Sequence, residues 1–152
     1  FVLPVTVSSI LTRPNGGLTD LVWGGTSGDD RFAFQDIGSN TVKVIDPNGG
    51  PLNNTTYAGI TGTVRTFAGD GNDLTFVLDL SKTAINSGNG DNTIFFISGP
   101  SGNHTLTTGT GNDVVAVISL DGGTLTANLG AGNDLFNGGS PSNSPLLVNG
   151  EA

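Results

Sequence analysis

The chain has 152 residues, enough for one domain, with 25 glycines, no cysteine and a net charge of −8 from 13 acidic against five basic residues. These figures exclude a disulfide framework, and such an acidic balance suits no nucleic-acid partner. No apolar run reaches the ~18 residues of a membrane span. The 35 % of hydrophobic residues, gathered in β-rich runs, argue for a packed domain rather than a glycine-rich linker. The chain starts at Phe1 rather than Met, as expected of a mature exported protein or of part of a longer chain.

In chain order, residues 5–11 are expected as a strand, with a turn at Arg13-Pro-Asn-Gly-Gly17. Residues 18–23 form the next strand and run into Gly25-Thr-Ser-Gly-Asp-Asp30. Strands are expected over residues 31–35 and 41–46, separated by a turn at 36–40. Pro47-Asn-Gly-Gly-Pro-Leu-Asn-Asn54 falls where a repeat loop is due but ends without an aspartate, so it reads as a degenerate, metal-free turn. Residues 55–60 and 63–67 then complete that coil.

The second half is written around one short stretch. It reads Ala68-Gly-Asp-Gly-Asn-Asp73, Ser87-Gly-Asn-Gly-Asp-Asn92, Thr108-Gly-Thr-Gly-Asn-Asp113 and Leu129-Gly-Ala-Gly-Asn-Asp134. The last residues of these copies are 19, 21 and 21 positions apart, and Asp30 precedes Asp73 by 43, close to two steps. A fixed period near 20 residues marks a repeat architecture in which neighbouring units cover one another's apolar sides.

After each loop comes an apolar run (74–80, 93–98, 114–120 and the shorter 135–136), then a turn (81–82, 99–103, 121–123, 139–143), then a second strand. Stepping by 21 aligns Thr83, His104, Leu125 and Leu146 in one column and Ile85, Leu106, Ala127 and Val148 in another. Residues two apart on a strand share a face, so both columns point inward. Ile94, Val115 and Phe136 form a third inward column, and Phe96 and Val117 a fourth. Leu74, Phe76, Leu78, Phe95, Ile97, Val114, Ala116 and Ile118 make the opposite face of that sheet apolar too. Such a face is normally covered, here by the N-terminal segment, a loop or another subunit.

The loop pattern Gly-x-Gly-x-Asp with an apolar residue two positions on resembles the calcium-binding nonapeptide repeat of RTX proteins, and through the period the resemblance covers most of residues 24–138. It implies a β-roll binding calcium between successive turns. The aspartate position falls on Asp30, Asp73, Asp113 and Asp134. The carbonyl-supplying glycines are Gly69, Gly71, Gly88, Gly90, Gly109, Gly111, Gly130 and Gly132. The chemistry agrees: glycine permits the loop conformation, and calcium takes about six to eight oxygen ligands. Zinc would want cysteine or histidine. The chain departs from the family in carrying the motif on one edge only. The motif's first glycine is replaced by Ala68, Ser87, Thr108 and Leu129, and Asn92 stands for an aspartate, with Asp91 beside it as a substitute charge.

His104 is the only histidine and is expected to pack in the core; Trp23 is expected to cap the early core, and Asp79 and Asp121 to be solvated. No nucleophile–base set or paired acids point to catalysis.

The fold expected is an all-β parallel β-solenoid, β-roll-like, of about six coils. It forms a single domain over 1–152, with 1–23 as an N-terminal strand for capping or exchange, 24–138 as the repeats and 139–152 as a last partial coil. The function expected is that of a non-enzymatic, extracellular or cell-surface calcium-binding structural protein of bacterial type. It would self-assemble with copies of itself into a filament or surface layer, with no nucleic acid, membrane span or small-molecule substrate. The alternative is a calcium-binding RTX-like module of a larger secreted adhesin or exported hydrolase.

Overall fold

The computed structural model of the chain describes residues 9–100, 102–139 and 145–151. Among them the fold is all-β, and no helix is long and apolar enough to cross a membrane. The strands of the first half are β1 (Ser9–Asn15), β2 (Leu18–Gly24), β3 (Arg31–Asp36), β4 (Val42–Ile45), β5 (Thr55–Tyr57), β6 (Val64–Phe67) and β7 (Leu74–Leu78). Those of the second half are β8 (Thr83–Gly88), β9 (Thr93–Pro100), β10 (Asn103–Thr108), β11 (Val114–Asp121), β12 (Thr124–Ala131), β13 (Leu135–Gly138) and β14 (Leu146–Glu151). Of the expected elements, most of strand 5–11 and parts of the turns at 99–103 and 139–143 lie outside the described residues.

Two seven-stranded sheets face one another, ordered β1-β2-β6-β8-β10-β12-β14 and β13-β11-β9-β7-β3-β4-β5. From β6 onward the chain alternates between them, one strand in each sheet per turn, and every strand lies parallel to its predecessor in the same sheet. Parallel pairing of successive repeats is what makes equal positions stack. His104 sits between Thr83 and Leu125, Leu106 between Ile85 and Ala127, Val115 between Ile94 and Phe136, and Phe96 beside Val117, in the register the 21-residue step predicts.

The regular solenoid is shorter than the six coils expected. The turns β6–β7, β8–β9, β10–β11 and β12–β13 give about four, with a step of 19 to 21 residues. The 43 residues from Asp30 to Asp73 are one step, not two, because β2 pairs with β6 and β3 with β7 directly. The intervening chain leaves the stack. Ser39 and Asn40, both at positive φ (54° and 56°), turn it back into β4, antiparallel to β3, and β5 then lies antiparallel to β4. The stretch 47–54 is therefore the turn between β4 and β5. It is organised by Asp46 at its start, whose carboxylate accepts N–H groups from Asn48 and Gly50 at 2.9 Å each.

The core fills the space between the sheets. Leu21, Trp23, Val64, Ile85, Leu106, Leu125, Ala127 and Leu129 meet Phe32, Phe34, Val77, Ile94, Phe96, Val115 and Val117, all buried. Trp23 anchors the early end, its ring 4.5 Å from that of Phe32 and 5.7 Å from that of Phe34. His104 is a core residue, as expected: its Nδ1 lies 3.0 Å from the Thr83 hydroxyl and its ring meets Phe96 edge-on. Burial pushes its pKa down to about 4.

The outer face of the second sheet is apolar and half-buried, with Phe76 and Phe95 stacked 5.0 Å apart and Ile118 exposed. Strands β4 and β5 extend the sheet sideways beyond β3, so they do not fold over this face. The two ends differ. At the early end the antiparallel strands β1 and β4–β5 border the stack. At the other, among the described residues, β14 pairs only with β12 and β13 only with β11, and Leu135, Leu146, Leu147 and Val148 are exposed.

Candidate metal edge

The five glycine loops lie in one file along one edge of the solenoid, each directly over the last, and their Asx side chains form two columns. In the last column, Asp30-Asp73-Asn92-Asp113-Asp134, the Oδ1 of each member after Asp30 accepts the backbone N–H of the same position one coil earlier. Asp30 N–H donates to Asp73 at 2.8 Å, Asp73 to Asn92 at 3.0 Å, Asn92 to Asp113 at 2.9 Å and Asp113 to Asp134 at 2.9 Å.

In the column before it, Asp29-Asn72-Asp91-Asn112-Asn133, the direction reverses. Asn72 N–H donates back to Asp29 at 2.8 Å, Asp91 to Asn72 at 2.8 Å, Asn112 to Asp91 at 2.7 Å and Asn133 to Asn112 at 3.0 Å. Each interface between coils is thus clasped from both sides. A bond of this kind contributes about 0.5–1.5 kcal/mol, and it satisfies loop amides that have no strand partner.

This arrangement explains why Asp and Asn exchange freely in the motif. What each bond needs is an acceptor oxygen on a short side chain, and both residues have one. Asn92 therefore keeps its place in the buried column, whereas Asp91 belongs to the exposed one.

The glycines serve close approach. The carbonyl oxygens of Gly69, Gly71, Gly88, Gly90, Gly109 and Gly111 abut the glycine one coil on, where a Cβ at Gly88, Gly90, Gly109, Gly111, Gly130 or Gly132 would overlap them. These carbonyls lie against the backbone of the next coil. Those of Gly88 and Gly109 accept N–H bonds from Gly109 and Ala131 of the next coil.

Burial separates the acids. Asp73 and Asp113 are 3 % and 1 % exposed, and the second oxygen of each, Oδ2, has no hydrogen-bond partner. The equivalent oxygen of Asp30 accepts the Thr26 N–H at 2.6 Å and the Thr26 hydroxyl at 3.0 Å. At Asn92 the matching atom is the amide nitrogen, which donates to the carbonyls of Gly90 at 2.9 Å and Gly88 at 3.3 Å. Burial raises the Asp73 pKa to about 6; the bond from Asp30 N–H opposes this, and the charges of Asp30, Asp29 and Asp70 add to it.

Among the described residues no three His, Cys, Asp or Glu side chains come together as a metal cluster. A cation on this edge would rest on the orphaned carboxylate oxygens of Asp73 and Asp113, with loop carbonyls completing its shell. Hard oxygen donors suit calcium, and an uncompensated buried carboxylate oxygen is the feature that a cation would relieve.

Two functional positions escape the motif reading. The penultimate column is an unbroken run of Asx residues at the repeat step, a signal present in the sequence. Asp20 gave no such signal. It is 2 % exposed and ties the returning chain to the solenoid by accepting the Thr63 N–H at 2.7 Å, the Arg65 guanidinium at 2.8 Å and the Asn15 amide at 2.9 Å. Burial pushes its carboxyl up, but these donors together hold it below the usual range.

No protein-family model, curated protein or solved structure matches the chain.

Proposed function

We propose that this chain is a non-enzymatic structural protein, exported to the cell surface or medium. It stacks with copies of itself end to end into a filament or layer, and calcium stiffens its glycine edge. The observation that carries this reading is the β13–β14 end, where among the described residues the outer edges of these two strands have no partner and Leu146, Leu147 and Val148 are exposed beside exposed Leu135. An unpaired apolar edge is a template for a further strand. The apolar outer face around Phe76 and Phe95 offers a second, lateral contact.

Calcium enters through Asp73 and Asp113, whose buried Oδ2 atoms lack donors, with Asp30 and Asp134 adjacent in the same column. A bound ion would neutralise stacked carboxylates and would couple stability to the calcium of an extracellular medium. In the alternative, the β14 edge is continued by more of the same polypeptide, and the chain is a calcium-binding module of a larger secreted adhesin or hydrolase.

Light scattering with electron microscopy, first in calcium and then in excess EGTA, separates the readings. Regular filaments or sheets that soften in chelator are expected. A monomer at high concentration in calcium would rule out self-assembly and favour the module; assembly indifferent to EGTA would remove calcium from the account.

A further inference from the structure

Asn92 stands at the middle of the buried column, with two carboxylates on either side: Asp30 and Asp73 before it, Asp113 and Asp134 after it. Its Oδ1 makes the same inter-coil bond as those of Asp73, Asp113 and Asp134. Its other terminal atom differs. Where Asp73 and Asp113 present a buried oxygen with no donor, Asn92 presents an N–H group that reaches the carbonyls of Gly88 and Gly90 in its own loop. The same backbone thus carries an unfilled acceptor in two coils and a satisfied donor in the coil between them.

We infer that Asn92 is a self-supplied substitute for a cation. Its amide supplies, within its own loop, a donor to the carbonyls of Gly88 and Gly90 where the Asp73 and Asp113 coils leave a carboxylate oxygen that an external positive group would relieve. It also divides the edge into two separate carboxylate pairs, Asp30 with Asp73 and Asp113 with Asp134. This deepens the proposed calcium edge and rests on it for the identity of the ion. Cation binding then occurs as two independent events rather than one continuous file, and the middle of the solenoid stays closed when calcium is withdrawn.

The test uses the full chain and the variants Asp73→Asn, Asp113→Asn and Asn92→Asp, melted at pH 7.5 in EGTA and in calcium, with calcium stoichiometry by titration calorimetry. In EGTA the two Asp→Asn variants are expected to melt about 2–4 °C above wild type and Asn92→Asp a similar amount below it. In calcium, Asn92→Asp recovers and binds more calcium than wild type, while each Asp→Asn variant loses the calcium response of its own pair. Asp→Asn changes that destabilise in EGTA, or, where the wild type binds calcium, an Asn92→Asp chain that gains none, would overturn the inference. A wild type indifferent to calcium whose Asp→Asn variants are nevertheless stabilised would uphold Asn92 as the internal donor and sink the proposed calcium edge alone.

Discussion

Residues 64–138 and residues 31–57 are built from similar strands, yet only the first set keeps the solenoid. In the regular part each strand pair is joined by a loop ending in two Asx residues, and each loop is clasped to its neighbours in both directions. In the meander of β3, β4 and β5 the connection over 47–54 makes no such inter-coil clasp. Its amides are satisfied within the turn by Asp46 instead, and the chain folds back antiparallel. A strand pattern alone thus does not choose between stacking and turning back. The choice follows whether the loop's polar groups bond to the next coil or to themselves.

The glycines give the sharpest way to break this contrast. Gly88 has φ 74° and a Cβ there would overlap the Gly69 carbonyl, so Gly88→Val is expected to cost more than about 4 kcal/mol and to abolish cooperative thermal unfolding. A variant that melts like wild type would mean that the loops do not stack this closely.

The junction between the two regions comes next. Asp20→Ala strands the Thr63 amide and the Arg65 guanidinium, and a loss of roughly 3 kcal/mol by denaturant titration is expected. Because Asp20 titrates below the ordinary carboxylate range, its contribution is present at neutral pH and is lost only as the pH falls through that lowered value.

His104 probes the stacked core through pH. A histidine held neutral down to about pH 4 binds fewer protons in the folded than in the unfolded chain between that pH and 6.5. His104 therefore contributes a loss of stability of up to about 3 kcal/mol as the pH drops through this interval. Asp73 opposes it, because its raised pKa of about 6 makes the folded chain take up a proton there; the wild-type minus His104→Gln difference should isolate the histidine's share.

The smallest effect belongs to the irregular region. Gly59 has φ 76°, but nothing lies within 4 Å of the place a Cβ would take, so Gly59→Ala should cost only about 1 kcal/mol, the conformational term alone. A loss as large as that at Gly88 would erase the distinction between the two regions.

Much of the fold was legible because stacking demands residue-for-residue register. Thr83, His104 and Leu125, or Ile94, Val115 and Phe136, fall in columns simply by stepping through the repeat. The number of coils was not legible over the 43 residues before Asp73, since a period cannot distinguish two coils from one coil plus an insertion of the same length. The missing aspartate at the end of 47–54 was visible, but the reversal of chain direction there depends on how Asp46 bonds its own turn.

At the edge, the buried column was legible as Asp30, Asp73, Asn92, Asp113 and Asp134. The role of those residues as acceptors for neighbouring amides was not, because a ligand set and an inter-coil clasp require the same side chains. Asp20 was illegible for a different reason: it lies 43 residues from the Thr63 amide it binds.

The central claim is that the glycine edge is a two-way clasp of Asx side chains on backbone amides. Residue-resolved hydrogen exchange tests it most directly. The amides of Asn72, Asp91 and Asn112 lie in exposed glycine-rich loops, yet they should exchange as slowly as those of Asp73, Asn92 and Asp113, at rates typical of strand interiors. Exchange of both groups at the fast rate of solvent-exposed turns would contradict the clasp and leave the loops as ordinary connections between strands.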